Sequence, residues 1–215
     1  MGRTCLVTGK STELLVEVAR RTTARERRTL IARSGALEVA GVGDEATVVP
    51  WNRRSALSAR SVVLHAHNLY GRLDEAVIVF SPVRESVPFH ESSIVSIENR
   101  TDAEVKGYLF MIREILALFQ KQRSGTLVLA VLEQESELQS PLEAISYGGF
   151  VSGAEAMQRY YANEALEVRL CSTRSTDTAG YAEHIVDVLD APASRRPRLE
   201  WQRYQARSRI FSRAR

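Results

Sequence analysis

The chain has 215 residues, 44% hydrophobic and 26% charged, which supports one substantial core and is short for two domains. No apolar run reaches the roughly 18 residues of a spanning helix, and the opening Met-Gly-Arg-Thr leads straight into a strand-like run, so neither a membrane span nor a signal peptide is expected and the reading is a soluble, cytoplasmic protein. The net charge of +3 conceals a split, because Pro192–Arg215 holds eight arginines against Glu200 alone, leaving residues 1–191 at −4.

In chain order, Thr4–Thr8 is a β-rich run closed by Gly9, and Glu13–Arg28 carries Leu14, Leu15, Val18 and Ala19 at helical spacing. Arg28–Arg33 reads as a second buried strand, followed by a turn at Gly35. A third strand is expected over Ala46–Pro50 and a helix over Ser55–Tyr70. Gly71-Arg72-Leu73-Asp74 then hands over to a fourth strand, Ala76–Phe80, stopped by Ser81-Pro82. Val83–Asn99 reads as an irregular connection. Asp102 is the expected cap of a long helix ending at Gln122, with Val105, Leu109, Ile112, Leu116 and Phe119 on one face. Thr126–Leu132 is a fifth strand, Glu133–Gly149 a polar loop, Ser152–Ala165 a helix, Glu167–Cys171 a sixth strand and Gly180–Leu189 the last regular helix. Arg198–Trp201 reads as an edge strand, in competition with a helix over Glu200–Arg215 that would align Trp201, Tyr204, Ser208 and Phe211. Strands alternating with helices specify an α/β protein with a three-layer, doubly wound parallel sheet, and right-handed crossovers make that the simplest topology. One domain is expected over residues 1–191, with 192–215 a basic extension packed on it or on a partner subunit.

Metal and thiol chemistry find little support. His65 and His67 are two apart on a helix and point to different faces, whereas a helical ligand pair needs spacing of three or four. Cys5 and Cys171 lie in separate strand-like runs and read as buried, reduced thiols. Gly9-Lys10-Ser11-Thr12 follows a strand as a phosphate-binding Gly-Lys-Ser/Thr does, but the first glycine of that motif falls on Thr4 inside the strand, so there is no loop to wrap a phosphate. An isolated anion at the helix start is the remaining reading for Lys10, Ser11 and Thr12. Glu133, Glu135 and Glu137 follow the fifth strand at the edge where ligands bind in open α/β sheets, and read either as acid/base candidates or as a solvated loop.

Several short segments recur in one known order: Val7-Thr8-Gly9, Tyr70-Gly71-Arg72-Leu73-Asp74, Val105-Lys106-Gly107, Gly125-Thr126-Leu127-Val128 and Leu166-Glu167-Val168-Arg169-Leu170. Through them the chain resembles the short-chain dehydrogenase/reductase superfamily over nearly its whole length, which implies a Rossmann fold of that type. The resemblance also implies assembly, as a homo-oligomer or as a hetero-oligomer with an active homologue, through the long helix ending at Gln122 and the helix over Ser152–Ala165. It places Gly9, Lys10, Ser11 and Thr12 at the cofactor diphosphate, Arg33 at a 2′-phosphate and Asn52 beside the adenine.

The functional motifs of that superfamily are altered. The second and third glycines of its phosphate-binding turn fall on Glu13 and Leu15, which predicts repulsion and steric block. None of the seven tyrosines is followed four residues later by a lysine. The acid/base tyrosine falls on Phe150, the lysine on Ala154, the helix asparagine on Glu104 and the strand-five serine near Leu132 or Glu133. Phenylalanine cannot transfer a proton and alanine supplies no charge. The sequence therefore reads as a catalytically degenerate relative with no catalytic residue and no metal, binding no cofactor or NADP weakly, and acting as a binding or partner subunit. The alternative is an NADP-dependent oxidoreductase with non-standard active-site residues. A third reading gives the arginine tail an anionic partner.

Overall fold

A computed structural model describes residues 2–35, 42, 46–83, 87–133, 140–192 and 200–206. The apolar runs become β1 (Thr4–Lys10), β2 (Arg28–Ser34), β3 (Ala46–Pro50), β4 (Glu75–Phe80), β5 (Thr126–Leu132), β6 (Glu167–Thr173) and β7 (Trp201–Tyr204). They form one seven-stranded sheet in the order β3-β2-β1-β4-β5-β6-β7, and every neighbouring pair is parallel. Parallel strands need crossovers. These are supplied by α1 (Glu13–Ala24), α2 (Ala56–Tyr70), α3 (Ile94–Thr101) continuing into α4 (Gly107–Gln122), α5 (Pro141–Tyr160) and α6 (Thr178–Asp190).

Side-chain alternation along the strands divides the core in two. Leu6, Ile78, Phe80, Leu129 and Leu170 face α2, α4 and α5, while Cys5, Val7, Val77, Val128 and Cys171 face α1 and α6. Both faces are dry, so the central strands read as continuous apolar runs. The chain order reverses between β1 and β4, which places the sheet's ligand-binding crevice at the carboxyl end of β1.

Several expectations are corrected. Asp102 does not start the long helix: its helical backbone lies in a π-helical turn, Asp102–Lys106, that joins α3 to α4. The cap is Ser93, whose hydroxyl accepts from the Ser96 N–H at 3.1 Å, so the segment 83–99 contains the start of the helix instead of being irregular throughout. Residues 141–149 are also helical, because Ser140-Pro141-Leu142-Glu143 caps α5, with Ser140 accepting from the Glu143 N–H at 3.2 Å; Gly148 and Gly149 lie inside that helix. α5 stops at Tyr160, short of the expected Ala165. Finally, Trp201–Tyr204 is a strand, which rules out a helix starting at Glu200; residues 207–215, with Ser208 and Phe211, lie outside the described residues. Tyr204 secures β7 by donating its hydroxyl to Asp177 at 2.6 Å, and the Trp201 indole donates to Glu155 at 2.9 Å. Among the described residues, no helix is long and apolar enough to cross a membrane.

At the amino end of the sheet, α1 and α6 are laced by charge. Arg25 pairs with Glu183, with Asp187 at 2.8 Å and with Asp190 at 2.5 Å. The Arg25 and Arg21 partners hold the Glu183 carboxyl below its ordinary value. Burial works to raise Asp190, but Arg27 and Arg25 outweigh it and bring Asp190 down as well. An acid depressed in the folded state contributes stability above its unfolded pKa and loses it as pH falls through its folded pKa. Thermal stability should therefore decline as pH falls below about 4, and Arg25→Ala should make that decline shallower while lowering stability at neutral pH. A melting series over pH for both proteins checks this, and superimposable acid limbs would refute it.

Candidate functional site at the carboxyl edge

Gly9 sits between β2 and β4 in the sheet, opposite Arg33 on one side and Val79 on the other. A Cβ at Gly9 would lie 2.4 Å from the Val79 carbonyl oxygen, so the close strand approach requires glycine there. The chain then turns into α1. The Ser11 hydroxyl donates to the Ser34 carbonyl at 2.8 Å, and the Thr12 hydroxyl caps α1 by accepting from the Leu15 N–H at 3.3 Å. The Ser11 proton is thus committed to the turn, whereas Thr12 accepts there and keeps its own O–H.

The two residues behind the expected block at the diphosphate position differ from each other. Glu13 is exposed at the start of α1. Leu15 is fully buried among the α1/α6 core side chains and does not project into the crevice, so the expected steric block by Leu15 is absent; it faces the sheet because residues 14, 15, 18 and 19 form the buried stripe of α1.

A cavity of about 530 Å³ lies beyond the ends of β2 and β3. It brings together Arg33 and Asn52, with Ser34, Gly35, Arg53 and Arg54 also on its wall. Gly9, Lys10, Ser11 and Thr12 are not on that wall. Arg33 donates to the Gly35 carbonyl at 2.9 Å, and the Asn52 side-chain oxygen accepts from the Arg54 N–H at 3.1 Å, building the turn that opens the cavity.

Sequence reasoning missed the cations next to it. Arg53 and Arg54 lie in an unpatterned turn and had no periodic signal; only their adjacency to Asn52 could have suggested them. Arg53, Arg100 and Lys10 surround Glu104, which is 4% exposed in the π-helical turn, with Arg100 at 3.8 Å. Burial raises the Glu104 pKa despite these three cations. Burial likewise lowers the Lys10 pKa, against the pull of Glu104. Gly107 permits this assembly, since a Cβ there would lie 2.3 Å from the Arg53 carbonyl oxygen.

Inward of these charges stands a packed aromatic stack. Phe150 stacks on Phe80 with centroids 4.4 Å apart, Tyr108 meets both rings edge-on, and Trp51 meets Tyr108 at 5.7 Å. Phe150 and Ala154 are both buried on the core face of α5. Tyr108 reaches the Val79 carbonyl at 3.4 Å, and burial raises its pKa. Glu133 closes β5 beside Arg174, while Glu135 and Glu137 lie outside the described residues. Among the described residues, no group of three or more His, Cys, Asp or Glu side chains could hold a metal ion.

No protein-family model matches the sequence, and no curated protein matches it. Solved structures do match. A metagenomic short-chain oxidoreductase in complex with NADP is 14% identical, with 89% of this chain and 91% of that one covered and a TM-score of 0.76. A short-chain dehydrogenase from Streptomyces avermitilis is 18% identical over 96% of this chain and 89% of that one, also with a TM-score of 0.76. An actinorhodin polyketide ketoreductase with NADPH is 17% identical over 89% of this chain and 78% of that one, with a TM-score of 0.68. Parallel strand order, the β1/β4 crevice and these superpositions agree: the chain has the Rossmann-type fold of the short-chain dehydrogenases/reductases.

Proposed function

We propose that the protein is a catalytically degenerate, divergent short-chain dehydrogenase/reductase relative that acts as a cytoplasmic binding or partner subunit. The observation that carries this reading is the Phe80–Phe150–Tyr108 stack, which puts apolar carbon where the resemblance places a proton-transferring tyrosine and puts Ala154 where it places a lysine. Neither side chain can hold or move a proton. The partner role draws support from a groove of about 520 Å³ between α4 and α5, lined by Leu109, Ile112, Leu116, Met157 and Tyr161, on the helices expected to mediate assembly. Its occupant in this reading is a second copy or an active homologue. The tail of arginines, in the same reading, meets an anionic partner.

A second reading, an NADP-linked oxidoreductase with unusual residues, is favoured by the cavity that gathers Arg33, Asn52, Arg53 and Arg54. Its guanidinium groups suit a phosphate on a ribose. The diphosphate turn fits less well, because the Ser11 proton is spent on the Ser34 carbonyl and Glu13 sits at the helix start. Calorimetric titration with NADPH and NADH, together with a carbonyl-reduction screen, separates the two readings. The expected result is no turnover and binding weaker than micromolar, with preference for the phosphorylated cofactor. A micromolar dissociation constant with turnover would overturn the degenerate reading, and a strict monomer in sedimentation with no homologue co-purifying would overturn the partner role.

A further inference from the structure

The cavity beyond β2 and β3 has an apolar strip and a polar wall. Val48, which is 43% exposed, Val49, Pro50 and Ala103 make the strip. Among the described residues, no Asp or Glu stands on the rest of the wall, and donors dominate it. Arg54 donates to the side-chain oxygen of Asn99, a neutral amide, so that contact leaves its charge uncancelled. Arg53, by contrast, already faces Glu104. The Ser34 hydroxyl is shielded from solvent and has no hydrogen-bond partner, and the indole N–H of Trp51, a residue 2% exposed, has none either. Such orphaned donors are costly, and a serine hydroxyl is free to rotate toward an acceptor. The Asn52 oxygen is taken by the Arg54 N–H at 3.1 Å, which leaves the amide NH2 as a further donor.

The extent of the cavity is as informative as its chemistry. At about 530 Å³ it has the size of a small-ligand site, and its wall takes no residue from β1, α1, β4, β5 or α5. A dinucleotide laid across the crevice would need those elements. Next to Ala103 is Glu104 with its ring of cations, and inward of it the Phe80–Phe150–Tyr108 stack already fills the core.

We propose that this cavity binds a nucleoside monophosphate as a complete ligand and not as one half of a dinucleotide. Arg54 and the Ser34 hydroxyl take the phosphate, and the base lies along Val48, Val49 and Pro50 beside the Asn52 amide. The proposal rests on the reading of the chain as a non-catalytic binding subunit and gives that subunit its small ligand: a mononucleotide of this kind brings no hydride to transfer.

Calorimetric titration of the full chain with AMP, adenosine 2′-monophosphate, GMP, NADPH, adenosine and inorganic phosphate, at constant ionic strength, tests this. At least one monophosphate should saturate with an affinity equal to or better than that of NADPH, and adenosine and phosphate should each bind at least tenfold more weakly. Arg54→Gln, a surface change, should weaken the nucleotide about tenfold, as expected for loss of one charge-assisted hydrogen bond, and Ser34→Ala should weaken it severalfold. Lys10→Ala should leave the isotherm unchanged, because Lys10 is not on the wall. NADPH binding tenfold tighter than every monophosphate overturns the proposal, as does a loss with Lys10→Ala equal to that with Arg54→Gln, since either means that the ligand runs on into the diphosphate turn. Inorganic phosphate as tight as the nucleotides, or no saturation by any of them, overturns it too. These failures leave the degenerate reading standing; carbonyl reduction with NADPH overturns that reading itself.

Discussion

Arg27→Ala should destabilise the fold by about 3–5 kcal/mol, the usual cost of stranding one member of a buried ion pair. Arg27 and Glu75 are each 3% exposed, and the guanidinium meets the carboxylate at 2.5 and 3.3 Å before reaching Asp190 at 2.6 Å. Arg3 also donates to Glu75, at 2.9 Å, but from a solvated position that cannot replace the lost partner. The buried Cys5 thiol next to this carboxylate is pushed well up, first by burial and then by Glu75, so it stays protonated and adds no second anion at neutral pH. Arg27→Met combined with Glu75→Leu should recover most of the loss, because removing both charges also removes their desolvation cost. Urea unfolding of the single and double variants, read as midpoint shifts at constant slope, decides the point. A near-neutral Arg27→Ala would show that the pair contributes little.

Phe150→Ala should cost about 3–5 kcal/mol, for a large buried aromatic whose removal leaves a cavity walled by Phe80 and Tyr108. The rings around it are held from outside by Trp51 and by the Arg53 guanidinium 5.8 Å above Tyr108, so the hole cannot collapse easily. Phe150→Leu should lose less, because it keeps most of the apolar volume. Equal losses for the two variants would mean that the stack is not a tightly packed unit.

The fold was legible where residue chemistry is strongly periodic. β1, β4 and β5 are buried on both faces, and their unbroken apolar runs admit little else; Gly71, with a positive φ of 81°, ends α2 where the sequence places the turn. The failures have specific causes. Glu133–Gly149 reads as a polar loop along the chain, yet Ser140 caps α5, and a glycine inside a long capped helix costs only about 1 kcal/mol. Asp102 looked like a cap because a carboxylate precedes an apolar stripe, but it instead pairs with Lys106 at 2.6 Å inside the helix. At the candidate site, the family resemblance places Arg33 and Asn52 at one nucleotide, and both line the cavity at the ends of β2 and β3. The grouping of Lys10, Arg53 and Arg100 around Glu104 could not, because it depends on three turns meeting in space and leaves no pattern along the chain.

The π-helical turn at Asp102–Lys106 acts as a phase setting for the long helix. One residue in an α-helix is about 100° of rotation, so the wider turn rotates everything before it relative to everything after. This separates two stripes on what is otherwise one rod: Met111, Ile112 and Ile115 point into the core, while Ile94 and Val95 remain 73% and 64% exposed. A one-residue deletion in that turn would therefore be felt as a twist and not as a shortening. It would swing Arg100 away from Glu104 and dismantle the charged cluster without touching any residue in it.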